Sequence, residues 1–343
     1  MSASHHDPFA CFGDSSSDDD NQSTDSAAVT NLEKARQMKE TSNSPAEPIG
    51  MTQIIDDSFE IFDTGPFSGQ GVRATVAFKC GDEIMRESAV MRIPTSQSAN
   101  SLENARIMHK NAIQRAYNSM HPTSQQSVMN LASCDEDDID VMKTPTGVWD
   151  TNSFCLGDDP LGGLFLTISR INHSCRPNVI HFWQPKLKQT LVFATRDIKE
   201  GEEIFTTYGP AECMGTESRR EYLNNRFSFQ CRCDMCLEGN TNGGDEKMMQ
   251  IKMLQDEIAL SAGLISKNGT SSIEKCLALM NEQGIGGGVF TKSLYHQGYE
   301  ICTAAGDSEG ARSYLGRELI AVCHSEGVGS PKAIEIEDMM NYI

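Results

Sequence analysis

Arg170-Ile171-Asn172-His173-Ser174-Cys175-Arg176-Pro177-Asn178-Val179 is the stretch on which the reading of this chain turns. Within ten residues it sets out side chains able to bind a ligand, a thiol able to bind a metal, and a proline that turns the chain. Two later segments depend on it: Gly201 to Tyr208, and the cysteines Cys231, Cys233 and Cys236. The function is written across these three pieces.

Cys231-x-Cys233-x-x-Cys236 brings three thiols into six residues. Structural zinc takes four ligands in a closed tetrahedron, commonly all cysteine, so the cluster is one ligand short. The fourth must come from elsewhere in the fold. Cys175 is the candidate, because a polar loop fixed beside Pro177 can present it. Three unligated thiols are the competing reading, and exposed thiols are a liability. Zinc here would tie the later segment back onto the opening stretch. The remaining eight of the twelve cysteines are scattered and read as small core hydrophobes.

The chain has 343 residues, room for one large or two ordinary domains and a substantial core. Its formal charge of −19 argues against direct nucleic-acid or anionic-membrane binding, since both need a cationic face. An acidic surface suits a basic protein substrate and is equally the usual route to solubility. Met1 to Phe12 is polar, so no secretory signal is expected. No run approaches the roughly 18 apolar residues of a membrane span. Cysteines in a chain without export point to free thiols and metal ligands rather than a disulfide framework. The expected compartment is nucleus or cytoplasm.

Residues 1–50 are rich in Ser, Asp, Asn and Pro around Ser15-Ser16-Ser17-Asp18-Asp19-Asp20, and predict a disordered acidic tail with at most a transient helix over 31–40. Folded structure is expected from Met51. A strand is predicted over Phe59–Phe62, a glycine turn over Gly65 to Gly71, and paired strands over Thr75–Phe78 and Asp82–Glu87. From Ser101 to Ser133 the apolar spacing becomes helical, and Pro122 opens a second helix. Short strands return at Val179–Phe182 and Thr190–Ala194, and a last one ends at Thr206-Thr207-Tyr208-Gly209. Beyond the cysteines the periodicity is helical: Ile251, Leu254 and Ile258; Ile273, Cys276, Leu277 and Met280; Leu294 and Ile301; and Ala311 to Val322. Ser271 to Glu274 has capping-box spacing, and Ser330-Pro331 opens a final helix. Many short strands with glycine and proline punctuation indicate α+β rather than alternating β/α units.

Asn172-His173-Ser174-Cys175-x-Pro177-Asn178, then Gly201-Glu202-Glu203-Ile204-x-x-x-Tyr208, then Cys-x-Cys-x-x-Cys, resemble the SET-domain protein lysine methyltransferases in order and spacing. Gly69-x-Gly71 is similar to the first motif of that family. The split core, the helical insertion, Asn152-Ser153-Phe154 and the helical C-terminal region look most like the SET- and MYND-type subgroup and its fungal relatives. No cysteine/histidine cluster of the MYND zinc module lies in the insertion. The resemblance covers residues 55–237 well and 244–343 loosely. It implies a compact multi-sheet β SET fold with a pseudoknotted core. The expected parts are an N-terminal SET portion at 51–98, a helical insertion at 99–147, the SET core at 148–209, a zinc-bound post-SET segment at 210–240 and an all-helical domain at 244–343.

The resemblance also implies roles. S-adenosylmethionine would be bound by Asn172 and His173 through backbone and side-chain hydrogen bonds, by Gly69, Gln70 and Gly71 at its amino-acid end, by Asn152, and by Phe229 stacked on the adenine. Tyr208 corresponds to the catalytic tyrosine, and Phe154 and Phe227 would line the channel for the substrate lysine. Cys175, Cys231, Cys233 and Cys236 would hold Zn2+. The expected partner is a histone or other basic protein bearing a lysine, and the C-terminal helices offer a surface to a further protein. The rival expectation is a catalytically idle SET module acting as a chromatin- or complex-binding adaptor. The two differ in cofactor binding, which an idle module would lack.

Overall fold

The structure, a computed structural model, describes residues 57–65, 69–94, 101–134, 143–209, 214–239, 241–261, 269–286 and 289–343. The acidic tail at 1–50, its expected helix over 31–40 and the acidic loop after Cys134 lie outside the described residues.

Three small sheets form the β portion. The first has the order β1 (Phe59–Gly65), β2 (Gly69–Ala74), β10 (Glu203–Thr206), β7 (Asn172–His173). The second is β3 (Glu83–Glu87), β9 (Gln189–Ala194), β8 (Val179–Gln184), and the third β4 (Met91–Pro94), β6 (Leu161–Leu164), β5 (Phe154–Cys155). Val72, Ile84, Val192, Ile198 and Ile204 are buried together between them. Each such side chain contributes about 1.5–3 kcal/mol of burial.

Two expectations change here. Gly69 and Gly71 are not turn residues outside a strand but part of β2 itself, which pairs with β1 at Phe62↔Gly71 and Asp63↔Gln70. Thr75–Phe78 is not a strand partner of Asp82–Glu87. It is a bend with one bridge, Phe78↔Ile198, and β3 pairs with β9 instead. The chain turns at Gly81, where φ is +89°, and the edge of β3 is paired by a strand more than a hundred residues away.

The helical insertion comprises α1 (Leu102–Asn118), α2 (Pro122–Met129) and α3 (Pro145–Asn152). Their starts follow local chemistry. Ser101 Oγ accepts from the Asn104 amide at 3.2 Å and Thr144 Oγ1 from the Gly147 amide at 3.0 Å, while Pro122 and Pro145 occupy the first turn. Trp149 is fully packed against Ile113, Val128 and Leu164.

After the last strand come α4 (Thr216–Phe227) and α5 (Asp234–Glu238). The helices α6 (Gly244–Ser261), α7 (Gly269–Glu282), α8 (Val289–Ala305), α9 (Ser308–Glu326) and α10 (Pro331–Met340) follow. Ser271 and Ser272 lie inside the first turn of α7 rather than capping it. Ser330 does cap α10, accepting from the Ala333 amide at 3.2 Å. The helices are not a separate body. α9 packs on α8 with one side and on β8 and β9 with another, and its His324 sits against Gly81. Among the described residues no helix is long and apolar enough to cross a membrane.

The cysteines outside the cluster only partly fit a core role. Cys276 and Cys302 are buried, Cys80, Cys134 and Cys323 are half-buried, and Cys155 is disulfide-bonded, an exception to the expected free thiols.

Asn178 deserves its place in the opening stretch for a reason spacing did not reveal. It is fully buried, and its side chain substitutes for a strand: Oδ1 accepts from the Phe205 amide at 2.7 Å and Nδ2 donates to the Glu203 carbonyl at 2.9 Å. Asn178→Ala would leave both backbone groups of β10 unpaired. An unsatisfied buried group costs about 1–3 kcal/mol, so the variant should lose about 2–4 kcal/mol of unfolding free energy, read as a lower denaturation midpoint at unchanged slope.

Candidate active site

The site is assembled where β7 lies parallel to β10, with Asn172 opposite Phe205 and His173 opposite Thr206. Successive strand residues face opposite ways, so two neighbours in sequence serve two surfaces.

Asn172 faces the glycines of β2. Its Nδ2 donates to Glu203 Oε1 at 2.9 Å and to the Gln70 carbonyl at 3.4 Å. Gln70 Oε1 in turn accepts from Arg170. A Cβ on Gly71 would lie 2.6 Å from Glu203 Oε1, 2.7 Å from Thr64 and 2.9 Å from Asn172 Nδ2, so any larger residue there would displace these side chains. Gly69, at φ +66°, has open space above it. These features make a cradle with exposed backbone on one side and hydrogen-bonding side chains on the other. Glu203 was not singled out from sequence. It is half-buried, and burial holds its carboxyl above the usual carboxylate range.

His173 faces away from the cradle and is 8 % exposed. Its Nδ1 accepts from the Tyr208 amide at 3.1 Å, which assigns the ring proton to Nε2, 3.3 Å from Cys175 Sγ. Burial pushes its pKa down to about 4, so the ring is neutral at pH 7. Both ring nitrogens are therefore committed inside the protein. The side chain expected at a cofactor is thus engaged by Tyr208 and Cys175.

Tyr208 lies beyond the end of β10. Its hydroxyl donates to the Ile171 carbonyl at 3.0 Å, and burial raises its pKa well above the ordinary phenol value. It is protonated at neutral pH. Phe227 and Phe229 pack beside it, with ring centroids 5.0 and 6.2 Å away, and Phe229 is also 6.1 Å from the His173 ring. Ser228 between them is in the left-handed conformation at φ +56°, capping α4 and turning the chain so that both rings reach Tyr208. Strain of about 1 kcal/mol at a non-glycine residue is accepted where it shapes a site.

Phe154 is placed elsewhere. It packs on the β-sheet core, 5.8 Å from Phe165 and 4.9 Å from His181, whereas Phe227 packs with the cluster around Tyr208. Asn152, expected at the cofactor, is buried, and its amide nitrogen donates to the Ala132 and Val148 carbonyls at 2.7 Å each. Its carbonyl accepts from Ser169 Oγ at 3.1 Å, which ties α3 to the turn preceding the opening stretch. Glu87 holds that turn, accepting from the amides of Leu166, Thr167 and Ile168.

The sulfurs of Cys175, Cys231, Cys233 and Cys236 all lie within 4.8 Å of one another. Cys175 and Cys236 are 3.6 Å apart. A tetrahedron with Zn–S bonds of about 2.3 Å has edges of about 3.8 Å, so the quartet fits a zinc-sized cation. Behind the quartet Arg219, another residue not singled out from sequence, is buried on α4.

Comparison with known proteins follows the same residues. The profile of the SET domain matches residues 69–209. Histone-lysine N-methyltransferase set5 of Schizosaccharomyces pombe is 28% identical over 277 residues, covering 79% of this chain and 80% of that protein. N-lysine methyltransferase SMYD2 of Homo sapiens is 35% identical over 109 residues, which are 31% of this chain and 24% of SMYD2. Histone-lysine N-methyltransferase SET5 of Yarrowia lipolytica is 43% identical over 75 residues, 22% of this chain and 17% of that protein. The match to the last two thus spans a quarter or less of their length.

Proposed function

We propose, from the SET domain that this chain carries, that it is a protein-lysine methyltransferase using S-adenosylmethionine, with a structural Zn2+ on Cys175, Cys231, Cys233 and Cys236. The observation that carries the reading is the division of labour between Asn172 and His173. One residue faces a glycine cradle, and its neighbour fixes the backbone of a tyrosine ringed by Phe227 and Phe229.

Gly69, Gln70 and Gly71 and the Asn172 side chain would hold the amino-acid end of the cofactor, and the backbone of His173 and the Phe229 ring its adenosine. Bound there, the cofactor supplies an electrophilic methyl group on a sulfonium. The chain's part is positioning, which can contribute up to about 7–11 kcal/mol when reacting atoms are held in near-attack geometry. Tyr208 and the Ile171 carbonyl it bonds offer oxygens that orient an incoming amine, and Phe227 excludes water from it. The amine must arrive unprotonated, and Tyr208, being protonated itself, does not collect its proton.

The substrate is a lysine in a histone or other basic protein, a choice supported by the net charge of −19 and by the likeness to fungal histone-lysine N-methyltransferases. That reading places the chain in the nucleus or cytoplasm. Incubation with labelled cofactor and histones, ribosomal proteins or whole lysate should yield label on lysine, with one cofactor bound per chain by calorimetry. Cofactor binding without transfer to any protein pool would overturn the catalytic reading, whereas weak or absent cofactor binding is the behaviour of an idle module. Gly71→Ala should weaken cofactor binding by about tenfold or more at unchanged metal content, since its Cβ drives apart Asn172 and Glu203.

A further inference from the structure

Arg219 is a buried cation with no carboxylate at hydrogen-bond distance among the described residues. It is 1 % exposed. Its NH1 donates to the Met214 carbonyl and its NH2 to Thr216 Oγ1 at 2.9 Å, and Nε has no hydrogen-bond partner among the described residues. The carboxylate beside it, Asp245, is 3.8 Å away and already accepts from the amide and hydroxyl of Thr216 at 2.9 Å each. A guanidinium does not escape burial by losing its proton, and a buried charge is strongly unfavourable unless matched.

The complementary charge stands next to it. NH2 is 4.0 Å from Cys236 Sγ. Four thiolates around a divalent cation carry a net charge of −2 in a region where Cys175, Cys231 and Cys236 are all buried. One hydrogen-bond donor already serves that charge, His173 Nε2 at Cys175. Cysteine thiolates in metal centres are commonly supported by such outer donors, which set how firmly the metal is held.

We infer that Arg219 is the internal counter-charge of the four-cysteine metal centre, a positioning residue through which α4 locks the metal segment onto the opening stretch. The inference rests on the metal reading of the quartet. It gives a polar helix a reason to carry an arginine on its buried face, where Leu223 is the companion aliphatic.

The test is metal release from the full-length zinc-loaded protein to a chromogenic chelator, with the cobalt(II)-substituted protein as a spectroscopic check. Arg219→Met, which keeps the length of the side chain and removes its charge, should release metal at least about tenfold faster than wild type, whereas Arg219→Lys should stay within about threefold. Sulfur-to-cobalt charge-transfer bands should persist in the Met variant at shifted energy, with the ligand set intact. Thr216→Val removes a hydrogen-bond partner of Arg219 but not its charge and should leave release near wild type. If Arg219→Met folds and releases metal at the wild-type rate, Arg219 only braces α4 and the inference is overturned. If that variant does not fold, Arg219→Lys decides, since release accelerated tenfold at an unchanged melting temperature shows that charge is not what matters. A wild-type chain that takes up neither zinc nor cobalt overturns the metal reading together with this one.

Discussion

Tyr208→Phe should reduce methyl transfer by about 10²–10³-fold while cofactor affinity, read by calorimetry, stays within a few-fold of wild type. The substitution removes one hydroxyl and nothing else. The ring keeps its packing against Phe227 and Phe229 at 5.0 and 6.2 Å, and the backbone amide keeps its bond to His173 at 3.1 Å. What disappears is the bond to the Ile171 carbonyl at 3.0 Å and with it a fixed oxygen facing the place of the amine. Loss of a single neutral hydrogen bond costs about 1 kcal/mol of stability, too little to explain a hundredfold loss of rate at 25 °C. The effect should therefore fall on kcat rather than on KM. Transfer by Tyr208→Phe at the wild-type rate would sink the role assigned to this residue.

Cys175→Ser should strip the chain of its zinc, from about one ion to near none per chain by elemental analysis, with a large fall in melting temperature. Binding of a structural zinc by four thiolates is worth about 10–16 kcal/mol at pH 7, and a serine hydroxyl is not a substitute ligand. Three of the four ligands lie in one short segment, but Cys175 is the one that joins it to the opening stretch, 61 residues upstream of Cys236. Losing it frees the segment that carries Phe227 and Phe229, so methyl transfer should fall with the metal. Cys276→Ser is the matched control. Cys276 is fully buried, but its sulfur faces the Ile251 carbonyl and the Met280 sulfur, and its variant should keep its zinc. Full zinc in Cys175→Ser would remove Cys175 from the ligand set.

The residues whose chemistry is local were legible. Three cysteines at metal spacing announce themselves, a missing fourth ligand directs attention to Cys175, and the four sulfurs meet. Asn172 lies beside Gln70 and Glu203, and Tyr208 beside Phe227 and Phe229. What stayed hidden depends on partners far along the chain. The ring of His173 looks like a ligand-binding group until its two nitrogens are found engaged by residues 35 and 2 positions away. Asn152 looks like a cofactor contact until its amide is found holding the loop at Ala132, 20 residues earlier. Helix α4 was missed because its one buried aliphatic is Leu223 and its other large buried side chain is Arg219, which no apolar periodicity reports. Helix α3 could have been found, since Thr144-Pro145 has the same cap-and-proline start as Ser330-Pro331. β2 was misread because glycine weakens a strand signal, although here the missing side chain is the reason glycine occupies the strand.

The bond between His173 and Cys175 has a consequence for the order in which the protein is made. The opening stretch is synthesised early, yet its cysteine quartet is closed only by Cys236, 61 residues later, and its aromatic wall only by Phe227 and Phe229. At about 5–20 residues per second, a ribosome needs about 3–12 s to travel from one to the other. During that interval a nascent chain holds Asn172 and His173 without the ligands and rings that give them their setting. A chain halted before residue 236 has no means of closing the site.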